Sequence, residues 1–400
     1  MKRTGGLWDE LVSWPNLLLG ARKAQRGKRS RSVVQRFNHD QERQLIRIQE
    51  RLSDGTWRPG EFRTHWIARP KRRLISAAPY ADRVVHHALM NVLEPVLDRH
   101  FHPHSYACRT GKGAHAAADR VQVLMRGHAF VLQCDIRKFF PSINHEILKG
   151  TFRRLIKDRR VLELMDRIVD GSNEQERIVE WFNGDDLFSP GDHPRGLPIG
   201  NLTSQWFANW MLNGLDHFIT SDLGFGSYVR YCDDFIVLHD DAEALKQAAL
   251  RIETFLETRR LRLHETKRSV RPVHRGVRFV GYRLWATHRI LPKQNVRDFR
   301  RRVRWMRSAY AERRIGWEQI KPRLDSWLGH ARQANSEHLI RRISAEWVFL
   351  RGEAKNVACP ARRFVEQQPA QLPLRQPEQE RAGQPEQQHR VPGLPALSRA

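Results

Sequence analysis

Apolar residues recur at helical spacing in "LWDELVSWPNLLLGARKA", residues 7–24. They do so again in "NHDQERQLIRIQERL", residues 38–52, which opens on a plausible cap. Together these predict a helical N-terminal extension over residues 1–60. β-branched and aromatic residues between Gly55 and Pro79, in "EFRTHWIARPKRRLISAAP", predict short strands. "DRVVHHALMNVLEPVL" reads as a helix started by Asp82, and "GKGAHAAADRVQVLM" as a helix after a glycine turn. "AFVLQCDIRKFF" is an apolar strand that ends at Asp135, and helical segments follow to about Trp181. A turn-rich loop, "FNGDDLFSPGDHPRGLPIG", leads into a long helix, "NLTSQWFANWMLNGLDHFITSDL". "YVRYCDDFIVL" is strand–turn–strand, "DAEALKQAALRIETFLETRRL" a helix, and two short strands end in "VRFVGYRL".

The order ββ-α-β-α-β-β-α-β is an α+β pattern around an antiparallel sheet. Residues 290–352 return to helix and are densely basic, as in "NVRDFRRRVRWMRSAYAERR". Trp305, Trp317 and Trp327 fall in this segment, where they read as core residues. Over residues 360–400 Pro, Gln, Arg and Ala dominate and apolar periodicity vanishes, which predicts disorder.

Charge changes the picture. Lys and Arg number 70 against 44 Asp and Glu, a net charge of +26 over 400 residues. A compact chain carries such an excess most easily against a polyanion, and nucleic acid is the expected partner. The basic residues are spread along the chain, which favours a large contacting body over a basic arm. Four cysteines without a C-x-x-C pair indicate neither a zinc site nor a disulfide framework. The N-terminal segment is broken by Asp9, Glu10 and Pro15, and no run of 18 apolar residues occurs. A soluble, cytoplasmic protein with no membrane association is therefore expected.

Asp233 and Asp234 stand side by side at the tip of the "YVRYCDDFIVL" hairpin. Alone, such a pair is equally readable as two solvated turn residues. Asp135 changes the balance, because a sheet that sets its strand beside the hairpin gathers three carboxylates at one edge. Hard oxygen ligands of this kind suit Mg²⁺, with Mn²⁺ able to substitute. Two such ions about 4 Å apart stabilise both attacking and leaving oxygens in phosphoryl transfer.

Five blocks in order, "LQCDIRKFFPSI", "GLPIGNLTSQWFANWML", "YVRYCDDFIVL", "HETKRSV" and "VRFVGYRL", resemble the palm of a reverse transcriptase. The resemblance covers about Ile67 to Leu284. It implies a right-hand polymerase fold, with fingers and palm over residues 61–285 and a helical thumb over 290–352. Asp135, Asp233 and Asp234 match the metal-binding carboxylates. Phe140 matches the aromatic gate that crowds a ribose 2′-OH, so deoxynucleoside triphosphates are the implied substrates. Arg73, and more weakly Lys71, match the finger-strand base that holds the triphosphate. Lys267 matches a lysine near the leaving pyrophosphate, where a solvated surface lysine is the alternative. Phe279, Gly281 and Tyr282 belong to the matching primer-grip hairpin. Arg109 and Lys112, in "SYACRTGKGAHAA", match a template-contacting block. That block is no P-loop, since the Gly-Lys-Ser/Thr ending is absent.

Ile199-Gly200-Asn201-Leu202-Thr203-Ser204-Gln205 narrows the resemblance. Intron-encoded and retroviral enzymes usually carry Gln-Gly-x-x-x-Ser-Pro there. Ile199 and Gln205 instead match reverse transcriptases of diversity-generating retroelements, bacterial, archaeal or phage-encoded. The resemblance implies copying of an RNA template from a DNA or RNA primer, with errors at template adenines. Loss of a polar side chain at Ile199, beside the nascent base pair in the family, should loosen discrimination. A small basic accessory variability protein is an implied partner. The other readings are a group II intron-type maturase, an antiviral reverse transcriptase, and an inactive basic RNA-binding protein.

The Gln-rich tail carries a second signal in its codons. With GAA and CAA chosen, the next frame through Val365–Pro369 reads Trp-Asn-Asn-Asn. "RRF" before it permits Gly-Gly-Ser, and "EQQHRVPG" permits Asn-Asn-Asn-Thr-Gly-Phe-Arg-Val. Such text resembles the repeats these retroelements diversify, so the tail is expected to be the out-of-frame reading of a template repeat. The gene's nucleotide sequence checks this. Adenine-ending Glu and Gln codons and a near-copy in a neighbouring gene are expected; GAG and CAG throughout, or no near-copy, would sink the idea.

Overall fold

The computed structural model describes residues 3–67, 72–173, 175–176, 178–186, 188–189 and 193–351. Lys71 and the 360–400 tail lie outside the described residues. The N-terminal segment forms four helices: α1 (Trp8–Val12), α2 (Trp14–Ala24), α3 (Ser32–His39) and α4 (Gln41–Ser53). The first apolar run splits at Ser13, whose hydroxyl accepts from the Asn16 N–H and caps α2. Pro15 sits in the first turn of α2, where its missing N–H costs nothing.

α5 (Tyr80–Asp98) is buried along most of its length and carries Val84, Val85, Ala88, Leu89 and Leu93 in the core. Asp82 does not cap this helix. Its carboxylate accepts from the Gly60 N–H at 2.7 Å instead. Gly20 of α2 packs directly on α5, where an added Cβ would come within 2.8 Å of the Val84 carbonyl oxygen.

Two strands, β1 (Arg63–Ile67) and β2 (Arg73–Ala77), pair antiparallel as a hairpin with Ile67 opposite Arg73. The central sheet has four antiparallel strands. These are β3 (Phe130–Asp135), β4 (Tyr228–Tyr231), β5 (Asp234–His239) and β6 (Ser269–Pro272), in the order β4-β5-β3-β6. The central strands β3 and β5 read as mostly apolar runs because both faces are covered. Leu132, Cys134, Tyr228, Phe235 and Val237 face one core, shared with the N-terminal helices, α5 and α12 (Ala242–Glu257). Val131, Val229, Ile236 and Leu238 face the other, shared with α6 (Ala114–Met125) and the C-terminal helices.

Between β3 and β4 lie α7 (Phe139–Ser142), α8 (His145–Leu155) and α9 (Arg159–Asp170). Helix ends at Asp170 rather than near Trp181. The long apolar helix expected from Asn201 onward is three pieces: α10 (Leu202–Met211), α11 (Asn213–His217) and a π-turn over Phe218–Asp222. A third sheet, β7 (Val277–Phe279), β8 (Tyr282–Leu284) and β9 (Arg289–Ile290), has one strand more than expected.

The C-terminal helices are α13 (Lys293–Ala311), α14 (Trp317–Ala331) and α15 (Glu337–Ser344). Trp327 is buried and stacks on Phe299 at 4.0 Å between ring centroids. Trp305 and Trp317 are not core residues; they are 46 % and 47 % exposed. Both lie on the polar side of helices whose buried stripes run through Phe299, Val303 and Met306 and through Ile320, Leu324 and Trp327. Among the described residues no helix is long and apolar enough to cross a membrane.

One ion pair fixes the edge strand of the central sheet. Arg230, midway along β4, and Asp216, in α11, are both wholly buried. Nε donates to Asp216 Oδ1 at 2.6 Å and Nη2 to Oδ2 at 2.5 Å. The Tyr228 hydroxyl donates to Asp216 Oδ1 at 2.6 Å, and Arg230 Nη1 donates to Asn209 Oδ1 at 2.6 Å and to the Cys232 carbonyl at 3.1 Å. Desolvation opposes the guanidinium charge, yet the Asp216 carboxylate outweighs it and holds the Arg230 pKa above its ordinary value. Removing one partner strands the other charge without water. Asp216→Ala is expected to cost about 3–5 kcal/mol in urea unfolding. The double change Asp216→Leu with Arg230→Met should recover most of that loss. Equal stability of Asp216→Ala and wild type would refute the role given to the pair.

Candidate active site

β3 ends and β5 begins at the same level of the sheet, so Asp135 pairs directly with Asp234. Asp233 precedes β5 in the tight turn, and its carbonyl accepts from the Ile136 N–H at 3.1 Å. Cys232 takes up the turn's left-handed position at φ 55°. A short turn over Glu265–Lys267 approaches from the other side, fixed by the His264 N–H on the Asp135 carbonyl at 2.8 Å. It delivers Lys267 Nζ to 2.6 Å from Asp135 Oδ2. The sheet register thus brings together Asp135, Asp233, Asp234 and Lys267, four residues spread over 133 positions of sequence.

The electrostatics follow from burial and crowding. Burial, and then the Asp135 charge, raise the Asp233 pKa, with Lys267 and Arg73 pulling the other way. Burial pushes Asp234 up to about 7, reinforced by Asp135 and Asp233 and opposed by Gln133 and Lys267. Gln133 Nε2 donates to Asp234 Oδ1 at 3.4 Å. A bound cation would offset the crowding of these half-buried carboxylates. Among the described residues no three His, Cys, Asp or Glu side chains form a ready ligand cluster. The donor chemistry nevertheless fits a hard divalent ion: three carboxylates at one sheet edge, with an ammonium group already seated on one of them.

The Ile199–Asn201 segment is tied to β2 and Ala78. Ser76 N–H donates to the Ile199 carbonyl at 2.9 Å. Asn201 accepts from the Ala78 N–H at 3.1 Å and donates to the Ser76 carbonyl at 2.9 Å. Gly200 has φ +116°, and an added Cβ would meet Ile75 Cγ2 at 3.1 Å. Glycine is required here by both conformation and contact. Gln205 is exposed on α10, with Oε1 3.9 Å from Cys108 Sγ. Arg73 opens β2, opposite Ile67, and is exposed while its charge reaches Asp233. Phe140 is half-buried in α7 beside buried Phe139, their rings 5.7 Å apart, and its carbonyl accepts from the Leu197 N–H at 2.9 Å.

Three expected contact residues have other work in the fold. Arg109 does not face outward. Its guanidinium donates to Asp98 Oδ1 at 2.5 Å and to the carbonyls of His102 and Ser105 at 2.9 and 3.0 Å, and its side chain is 8 % exposed. Lys112 is the exposed cation of that loop; it donates to the Pro103 carbonyl at 2.9 Å and lies over the Tyr106 ring. Phe279 and Tyr282 are buried, so the β7–β8 hairpin presents its turn, Val280 at φ 42° and Gly281 at φ 88°, and the exposed pair Arg278 and Arg283. The Tyr282 hydroxyl lies 2.8 Å from His330 Nδ1, tying that turn to α14. Arg230, Asp216 and Tyr228 were not anticipated from sequence. The available signal was an arginine inside an otherwise apolar strand, which in a buried strand demands a carboxylate partner.

The sequence model of the reverse transcriptase (RNA-dependent DNA polymerase) family matches residues 67–284, more than half the chain. The chain belongs to that family, and the class of enzyme is RNA-directed DNA polymerase. Members of the family use divalent metal ions. Protein YkfC of Escherichia coli (strain K12) is 25% identical over 279 residues, 59% of this chain and 70% of that protein. The group II intron-encoded protein LtrA of Lactococcus lactis subsp. cremoris is 25% identical over 181 residues, 44% of this chain but 28% of LtrA. The structure of apo telomerase from Candida tropicalis aligns over 57% of this chain and 48% of that one, with a TM-score of 0.43 and 12% identity.

The raised Asp234 pKa has a sign that can be tested without catalysis. Folding keeps this carboxyl protonated, so it favours the metal-free fold at low pH, and that contribution is lost as pH rises from its unfolded value near 4 through about 7. Buried His86 and half-buried His87, held down to about 3 and about 4 by desolvation first, act in the opposite sense as pH falls below their unfolded value. The informative quantity is therefore the difference between wild type and Asp234→Asn. In urea unfolding without metal, Asp234→Asn should gain stability relative to wild type from pH 5 to pH 8, and millimolar Mg²⁺ should stabilise wild type most at pH 8. A pH-independent difference would contradict the assignment.

Proposed function

We propose that the chain makes complementary DNA on an RNA template by two-metal nucleotidyl transfer at Asp135, Asp233 and Asp234. The register pair Asp135–Asp234, with Lys267 Nζ 2.6 Å from Asp135, is the observation that carries this reading. The three carboxylates would hold a pair of Mg²⁺ ions, whose charge activates the primer hydroxyl and stabilises the leaving pyrophosphate when bound. Lys267 is within one side-chain rotation of the same edge and supplies a cation or proton to the pyrophosphate. Arg73, exposed on β2, holds the triphosphate. Phe140 crowds the sugar and favours deoxynucleotides. Lys112 and the Val280–Gly281 turn flank the template and primer, and the basic outer face of α13 binds duplex phosphates without reading sequence.

The finer reading is a reverse transcriptase of a diversity-generating retroelement, copying RNA with errors at adenines for targeted protein diversification. Its support is the block from Ile199 to Gln205. Ile199 is tied through its carbonyl, which leaves an apolar side chain that can neither donate nor accept a hydrogen bond at a base edge. A small basic accessory protein and a cytoplasmic setting belong to the same proposal. The likeness to LtrA favours a second reading, an intron-type maturase.

Primer extension on RNA templates with Mg²⁺ and deoxynucleotides tests both levels. Wild type should extend, and Asp233→Asn should lose at least about a thousandfold in rate. Misincorporation should concentrate opposite template adenines, and Ile199→Gln should lower it about tenfold. Equal rates for wild type and Asp233→Asn would sink the polymerase reading. Equal error at all four template bases would leave the polymerase standing and remove the retroelement assignment.

A further inference from the structure

Cys108 and Cys232 come together beside the Asp233–Asp234 turn. The residue 105–108 segment runs alongside β4. Ser105 forms a parallel bridge with Arg230, the Arg230 N–H donates to the His104 carbonyl at 2.9 Å, and the Tyr106 N–H donates to the Arg230 carbonyl at 2.9 Å. Two or three residues beyond this bridge, both chains turn through left-handed backbone, Cys108 at φ 57° and Cys232 at φ 55°. These two turns set the Cys108 and Cys232 side chains against each other, and Cys108 Sγ also donates to Gln205 Oε1 at 3.9 Å. Both are free and partly accessible. A left-handed conformation is unusual for a non-glycine residue, and here it occurs at both members of one contact.

We propose that Cys108 and Cys232 are a redox-active thiol pair, and that a hydroperoxide closes them into a disulfide which arrests DNA synthesis. The Cys108 sulfur attacks the peroxide O–O bond, giving a sulfenic acid at Cys108 and releasing an alcohol, or water from hydrogen peroxide. The Cys232 sulfur then attacks that sulfur; the S–S bond forms, the S–O bond breaks and water leaves. Two thiols and one hydroperoxide thus yield one disulfide, one alcohol and one water, and a small thiol reverses the change by exchange.

The location makes the bond consequential. Cys232 is joined directly to Asp233, and its carbonyl accepts from buried Arg230. Closing a thiol contact to a bond of about 2.05 Å draws the two sulfurs together by more than an ångström. Displacement of a reacting group by about 1 Å costs on the order of a hundredfold in rate. Cys134 is wholly buried, so it is a poor competitor.

The inference rests on reading Asp233–Asp234 as the reacting turn, and its test has a readout that does not depend on that reading. The reduced full chain is treated with hydrogen peroxide, quenched with catalase, alkylated and digested. Mass spectrometry should find a Cys108–Cys232 linked peptide two hydrogens lighter than its parts, within single chains on a non-reducing gel. Primer extension should fall at least tenfold and return with dithiothreitol. Cys108→Ser and Cys108→Ala, each compared with its own reduced state, should lose that reversible fall. No linked peptide, or a link only between chains, overturns the pair. A linked peptide with unchanged extension, or an equal reversible loss in the Cys108 variants, overturns the arrest. Absence of extension from the reduced chain, with the linked peptide present, counts against the polymerase reading and the arrest but leaves the thiol pair standing.

Discussion

The bidentate Arg230–Asp216 pair holds the candidate site in shape. A guanidinium at the centre of an edge strand is costly away from water unless a carboxylate and further acceptors surround it. Asp216, Asn209 and the Cys232 carbonyl provide them. The result is directional. β4 can occupy only the register that puts Arg230 over Asp216, and that register fixes where the next three residues, Tyr231, Cys232 and Asp233, emerge. Tyr228 adds its hydroxyl to the same carboxylate and closes the network.

From that anchor the remaining geometry follows by main-chain pairing. β5 pairs with both β4 and β3, so fixing one edge aligns Asp234 with Asp135. The carboxylates then crowd in a half-buried setting that raises the pKa values of Asp233 and Asp234. Lys267 relieves part of the strain, and the remaining imbalance is what a divalent cation would neutralise. The same hairpin turn brings Cys232 against Cys108, which couples the chemistry of the thiols to the position of Asp233.

Much of this was legible because local pattern and tertiary role agree. The strand ending at Asp135, the hairpin around Asp233–Asp234 and the glycine at position 200 each carry a local signature that the fold retains. The misreadings share one cause. Arg109, Phe279 and Tyr282 have the right residue types for nucleic-acid contact, but their direction is set by packing partners outside their own block: Asp98 for Arg109 and His330 for Tyr282. Trp305 and Trp317 were misread in the opposite sense, because an apolar side chain shows its type in the sequence but not which side of a helix faces the core.

The sequence by itself determined the class of chemistry: the charge excess, one aspartate at the end of an apolar strand with an adjacent pair at a hairpin tip, and the ordered blocks between residues 67 and 284. Hydrophobic period and turn residues act over a few positions, and that is far enough to specify elements and their order. The tertiary structure alone decided which side chains meet. Asp135 with Lys267, Arg230 with Asp216, and Cys108 with Cys232 are separated by 132, 14 and 124 positions. Such contacts depend on sheet register and on the energetic demand that a buried charge find its partner, neither of which is a property of any local stretch of chain.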